Sequence, residues 1–525
     1  MLPSRVLPAL ILAVPLFLLA PRAQAVSIDL TGGVVGTKKP AAQPGPLDDA
    51  LRLIQAGKPA DAEKVARKVI KESPGSAAAQ EVLGVALALQ DKVPQAIEAL
   101  QQSIKLNPGQ YTAWTKLGDI ATAMGQPDKA ISFYQEALKS APDDRLVNQR
   151  IGLYLAEQGA LKPAIEHLKK GIAGMPETVA GLRVDLARLY VRDGQPEQAL
   201  KLLGYWDKAA NDAKPVPPAA LMVLGDAWLA TGNATRAADR FKAVLATKGL
   251  AKDVPALVGQ GRAYRALDRL DASIKTLTQA ARLAPKDPAP QLELAASEAV
   301  AGSGKAAQAR LDQWVQPQRQ PDTETLGKAG QLYASMGLYD KARDVFGRAI
   351  EKTPNSPVLR ANMTMVLLRL GDTRGALEQA RKRLELAPGD ADAAFMVGML
   401  EEGSGDKASA ARRYEQAIKE APSHWQSLNN LALLRLNEGK KPEALSLARR
   451  AEQSAPDNTT VLDTLARTQE ANGDANGAAG AWLKLGDLYL AGHSKDEARK
   501  ALESASRVVT DGALRAKIGA RLKAL

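Results

Sequence analysis

The 525-residue chain contains no cysteine and three histidines, which excludes disulfides, thiol catalysis and zinc–thiolate sites. His167, His424 and His493 lie far apart in the sequence, so neither a metal centre nor a histidine-based catalytic group is expected. A net charge of +12 favours anionic partners, yet the densest basic runs, Arg381-Lys382-Arg383, Arg412-Arg413 and Arg449-Arg450, are short pieces of amphipathic helices without the interleaved aromatics that single-stranded nucleic acid requires, and no nucleic-acid partner is expected.

Residues 1–25 carry the pattern of a secretory signal. Arg5 precedes an apolar run from Val6 to Ala20, and Ala23-Gln24-Ala25 forms a small-x-small cleavage site. Cleavage is expected after Ala25, with an uncleaved N-terminal anchor as the alternative. The run holds about 15 apolar residues against the ~20 a bilayer needs, and Pro8 and Pro15 interrupt it. No other stretch is apolar enough to span, so the mature chain is expected to be periplasmic or secreted and to carry no transmembrane span. Residues 26–42, with Gly32-Gly33, Lys38-Lys39 and Pro40, show neither helical period nor caps and are expected to form an unstructured linker.

From about residue 43 the chain repeats. Prolines recur every 34 residues, at Pro74, Pro108, Pro142 and Pro176 and again at Pro354, Pro388, Pro422 and Pro456, and a fixed period of this length sets the architecture. Residues 111–144 show the unit most clearly. Leu117, Ile120 and Ala121 supply one apolar helical stripe, and Ala130, Ile131, Tyr134 and Leu138 supply a second. Gly125-Gln126-Pro127 turns between them, so each unit reads as an antiparallel helix pair closed by a proline. Aromatics make up only 4% of the chain and alanine and leucine dominate, which suits closely packed helices and leaves no strand-rich segment.

The period is regular over 43–204 and again over 323–458. Between them, 205–322 is irregular, with a proline-rich insertion ending in Lys214–Pro218 and a loosened turn at Gly302-Ser303-Gly304. This segment is read as a change of superhelix pitch or as a hinge. Residues 459–525 hold divergent repeats. The helix from about Asn476 to Leu490 serves as partner to both sides, and a last helix with an apolar stripe of Leu514, Ile518 and Leu522 covers the open end of the stack.

Trp114, Leu117, Gly118, Ala130, Tyr134, Ala137 and Pro142 follow the tetratricopeptide repeat pattern, and the unit resembles that family. The resemblance implies an all-α, right-handed solenoid superhelix of about 13 helix pairs, its concave face lined by the first helix of each pair. By motif register the second, fifth, ninth, twelfth and thirteenth positions point inward. In 111–144 these are small and polar, including Thr112, Thr115, Asp119 and Thr122. In the second regular run they are better suited to an adaptable peptide groove: Val358, Met365, Leu368 and Arg369 in one repeat, Phe395, Met399 and Glu402 in the next, then Gln426, Asn429 and Asn437. For Met365, Phe395 and Met399, packing between repeats is the competing reading. The Lys and Asn pattern with which some family members clamp a chaperone C-terminus is missing, since the matching positions hold Thr115 and Asp119, or Ala361 and Met365.

No catalytic apparatus is expected. Gly302-Ser303-Gly304-Lys305 lacks the spacing of a phosphate loop, acidic pairs such as Glu401-Glu402 do not stand out, and no cofactor is implied. The expected function is a non-enzymatic scaffold that holds envelope proteins or peptides in its concave groove. Residues 425–468 are similar to the final repeats of exosortase-linked (PEP-CTERM) tetratricopeptide proteins, which implies service to exopolysaccharide export. Those proteins carry a lipid-modified cysteine that this chain lacks. The alternative is direct binding of an anionic glycan, such as an acidic polysaccharide, or an anionic lipid by the basic surface.

Overall fold

The computed structural model describes residues 45–525, so the expected signal (1–25) and linker (26–42) lie outside the described residues. Among the described residues are 29 α-helices, one 3-10 turn and no strand. The chain is an all-α solenoid of antiparallel helix pairs, and it divides at Pro285/Lys286 into two compact units.

Local chemistry sets each pair. In the second regular run the first helices are Pro357–Arg369, Ala391–Gly403 and Trp425–Asn437, and their partners are Thr373–Leu386, Lys407–Glu420 and Lys441–Ser454. Side-chain caps start all of these but Lys441–Ser454: Asp390 Oδ1 accepts from the Ala393 amide at 3.0 Å and Asp406 Oδ1 from Ser409 at 3.0 Å, each worth about 1 kcal/mol. The turn between partners needs one left-handed residue, and Gly371 (φ 81°), Gly405 (φ 92°) and Gly439 (φ 77°) supply it without the steric cost a Cβ would bring. Each second helix stops two residues before Pro388, Pro422 or Pro456, where a ring without an N–H cannot continue it.

The two helices of a pair approach through a missing side chain. A Cβ on Gly118 would lie 2.3 Å from the Tyr134 ring, and one on Gly398 would lie 2.8 Å from the Tyr414 ring. Both tyrosines are buried. Trp114 is half-buried beside Phe133, with ring centroids 6.0 Å apart, so it packs at the edge of the core and Tyr134 fills its centre.

In the unit from residue 45 to 285, the second helix after Gly181–Arg192 is broken into Pro196–Leu202 and Gly204–Asn211. Asp207 ties the extra piece down: it accepts from Arg240 Nε at 2.9 Å and from Trp228 Nε1 at 3.0 Å, and Arg240 is itself buried. The extra helix Gly204–Asn211 is therefore docked on the next repeat.

In the unit from 286 to 525, the 17-residue helix Ala475–Ala491 packs against both Thr459–Ala471 and Lys495–Val508, as its apolar stripes suggest. The last helix, Gly512–Lys523, buries Ile518 and lays Leu514 and Leu522 against the core. Asn476 Oδ1 holds its start, accepting from the amides of Thr510 and Asp511 at 3.0 Å each.

Candidate partner-binding groove

Three successive first helices, Pro357–Arg369, Ala391–Gly403 and Trp425–Asn437, carry the residues singled out for a groove. Helical geometry puts residues three and four apart on one face, so Phe395, Met399 and Glu402 form one stripe. Met365 and Met399 occupy the same motif position one repeat apart; both are half-buried and belong to neither buried cluster of this unit. Glu402 and Gln426 are half-buried as well, and Val358 (47% exposed), Arg369 and Asn437 stand open to solvent. Leu368 is half-buried and leans on the core.

Phe395 falls partly on the competing packing reading, and Asn429 differs from the expectation. Phe395 is partly an inter-repeat packing residue: its ring lies 5.9 Å from Tyr414 and 5.4 Å from His424, against the cores of both neighbouring repeats. Asn429 lies inside, at 2% exposure, because Trp425–Asn437 turns this position toward its neighbours. Its Nδ2 donates to Asn430 Oδ1 at 3.3 Å, and Asn430 Nδ2 donates to the Tyr414 hydroxyl at 3.3 Å. The hydroxyl donates in turn to Glu402 Oε2 at 2.7 Å. Burial, and then this bond to Glu402, pushes the Tyr414 hydroxyl well above the usual phenol range.

Sequence reasoning missed Tyr414, Asn430 and Glu401. Tyr414 stands at the motif position that Tyr134 fills in 111–144, and its polar end is invisible to an apolar pattern. Glu401 is 2% exposed and accepts from Arg381 at 2.7 Å, with Arg413 4.0 Å from its other oxygen. The legible signal was a carboxylate standing where the buried stripe of the helix continues, a position charged residues rarely take unless paired.

In the other unit the corresponding face is closed by internal pairs. Asp119 (1% exposed) accepts from the Tyr134 hydroxyl at 2.9 Å, pairs with Arg150, and lies 4.0 Å from the ammonium of Lys116, itself 1% exposed. Glu81 accepts from Thr112 Oγ1 at 2.8 Å and from Gln110. Burial pushes its carboxyl up, against the pull of Gln110, Thr112 and Lys116.

Farther along that unit, burial pushes Asp226 up to about 6 from an ordinary 3.8, against the charges of Arg262 and Arg188. The folded state thus binds this proton more tightly than the unfolded chain, and the stability it contributes is present below the unfolded value and lost as pH rises through about 6. Asp226→Asn, always neutral, is expected to match the parent near ~pH 4 and to melt higher than it near ~pH 8; melting curves of both proteins across that range check it, and a pH-independent difference would refute it.

Antiparallel helix pairs at a fixed step, the second helix of each pair packed on the first of the next, define a helical-repeat protein. Tetratricopeptide repeat profiles match residues 47–111, 184–255 and 398–459, residues 87–149, and residues 254–287 and 323–355, together more than half of the chain. The chain belongs to the tetratricopeptide repeat family. It is similar to the BBSome complex member BBS4 of Bos taurus, with 27% identity over 139 residues, 26% of each chain. It is also similar to the Hsp70-Hsp90 organizing protein of Triticum aestivum, with 34% identity over 95 residues, 18% of this chain and 16% of that one. The matched stretch thus spans about a quarter or less of these relatives' own length. Among solved structures, yeast Tom70 is similar in fold, with 16% identity, a TM-score of 0.41, and 84% of this chain and 99% of that one covered.

Proposed function

We propose that the protein is a non-enzymatic scaffold that holds a segment of a partner protein on the first-helix face of residues 357–437. The observation that carries this reading is the pair Met365 and Met399: two flexible apolar side chains at one motif position on consecutive helices, half-buried and outside the buried clusters. Thioether side chains of this kind re-pack around varied partners. Membership in the family supports the reading, as do two relatives, one a complex member and one an organizer of two other proteins. The apolar run of residues 6–20 and the site at Ala23–Ala25 support action in the bacterial cell envelope, periplasmic or secreted, in envelope assembly or exopolysaccharide export. Among the described residues no helix is long and apolar enough to cross a membrane.

The basic surface favours an anionic glycan less. Arg381 pairs with Glu401 at 2.7 Å, Lys382 with Glu378 at 2.6 Å and Arg383 with Asp390 at 2.7 Å, so the densest basic run is largely neutralised by its own helices. A photo-crosslinking residue at position 399 is expected to capture a defined envelope protein, and the same residue in place of exposed Lys419 is not. Equal capture from both positions, or salt-sensitive retention on acidic polysaccharide with no crosslink, would overturn the reading.

A further inference from the structure

We propose that this groove reads a basic side chain: the helix Ala391–Gly403 takes an arginine or lysine of an extended partner segment, its cation on Glu402 and its stem along Met399 and Phe395. The inference deepens the groove reading and rests on it.

It starts from a charge without a counter-charge. Other carboxylates at the inward motif positions of this unit's first helices have a basic partner: Glu324 and Asp392 at the second position with Lys328 at 2.6 Å and His424 at 3.1 Å, Asp463 at the fifth with Arg467 at 2.8 Å, and Glu470 at the twelfth with Arg507 at 3.6 Å. Glu402 differs. Its partner is the neutral hydroxyl of Tyr414, and among the described residues no lysine, arginine or histidine nitrogen lies within 4.0 Å of it. On a chain of net charge +12, a half-buried carboxylate left to a neutral donor is an acceptor kept open for a cation.

A second observation points the same way. Asn429, 2% exposed, has an Oδ1 with no donor, and its amide is linked through Asn430 and Tyr414 to Glu402. Asn429 Oδ1 is itself shut off from the groove, so what this network offers a partner is the half-buried Glu402 at its outer end, and the side chain that supplies several donors and no acceptor is that of arginine, or of lysine. The stripe beside them suits its stem. Met399 is three residues from Glu402 and Phe395 is seven, on the same helical face, so an aliphatic chain has a thioether and an aromatic ring to lie on.

The test presents the full-length protein with arrays of short peptides whose central residue is fixed as Arg, Lys, norleucine or Glu in mixed Ala, Leu, Ser and Asn flanks. The parent is expected to retain the Arg and Lys pools about tenfold over norleucine, the size of one charge-assisted contact. Glu402→Gln, which keeps an acceptor for Tyr414, is expected to bring that ratio to about one, and Glu402→Lys to move the preference to the Glu pool. A basic preference that survives Glu402→Gln, or none in the parent, overturns the proposal. If the pools bind alike and all are lost on Met399→Glu, the groove stands and the basic-side-chain assignment falls. If no pool binds, or if Met399→Glu changes nothing, the groove reading falls with it. Melting curves of each variant confirm that it is folded.

Discussion

Replacing Asp119 with alanine is expected to destabilise the repeats around it by about 3–5 kcal/mol, the loss typical when one member of a buried ion pair is removed. Asp119 is 1% exposed and faces Arg150 and an equally buried Lys116, and it accepts the Tyr134 hydroxyl. Alanine removes the carboxylate that two cations share and the acceptor of a buried phenol, while the cations stay in the interior. Pairing both changes, Asp119→Asn with Lys116→Met, is expected to cost less than the sum of the two alone, because the charge removed and the charge left behind then cancel. Since a solenoid is stabilised neighbour by neighbour, hydrogen exchange is the appropriate measurement. Amides of the helices Tyr111–Ala123 and Arg145–Glu157 should lose about two to four orders of magnitude of protection. Unchanged protection would mean that the network contributes nothing to stability.

A comparable loss is expected for Phe241→Ala, by a different mechanism. Phe241 is fully buried, and its ring sits where a Cβ on Gly225 would come within 2.7 Å and one on Gly259 within 2.4 Å. One aromatic ring thus wedges between its own repeat and the next, and both neighbours are glycines that cannot close over a void. Truncation should cost about 3–5 kcal/mol through lost burial and the remaining cavity, or roughly 10 °C of melting temperature for a unit of this size. The loss of exchange protection should fall on Pro218–Ala230, Ala234–Ala246 and Val254–Ala266 and leave residues 357–437 untouched. A shift under about 3 °C would show that the site collapses around the smaller side chain.

The repeat itself was plain in the sequence because its punctuation is chemical. Proline at the close and glycine at the turn follow from backbone geometry, and the 34-residue step of Pro354, Pro388 and Pro422 is kept by the helix starts Pro357, Ala391 and Trp425, each three residues after its proline. What lay beyond local reading depends on depth and on contacts between repeats. Motif register places a residue on a face but does not say how far the next helix covers it, and so Asn429 proved internal and Phe395 partly so. The helix Gly204–Asn211 is held by Asp207 reaching Arg240, 33 residues on, a tertiary pairing no local pattern encodes. Lys116 and Glu401 are charged residues in the interior, and a sequence reading assigns such side chains to solvent because they are so rarely buried.

The face of residues 357–437 is proposed to hold a partner segment. The most direct test is a fluorescence anisotropy titration of the best-retained peptide against the parent and against Met365→Lys/Met399→Lys, both shown by melting to be folded. Two charges placed in an apolar contact should weaken binding by about 30-fold or more, and an affinity unchanged in the folded double variant would contradict the account.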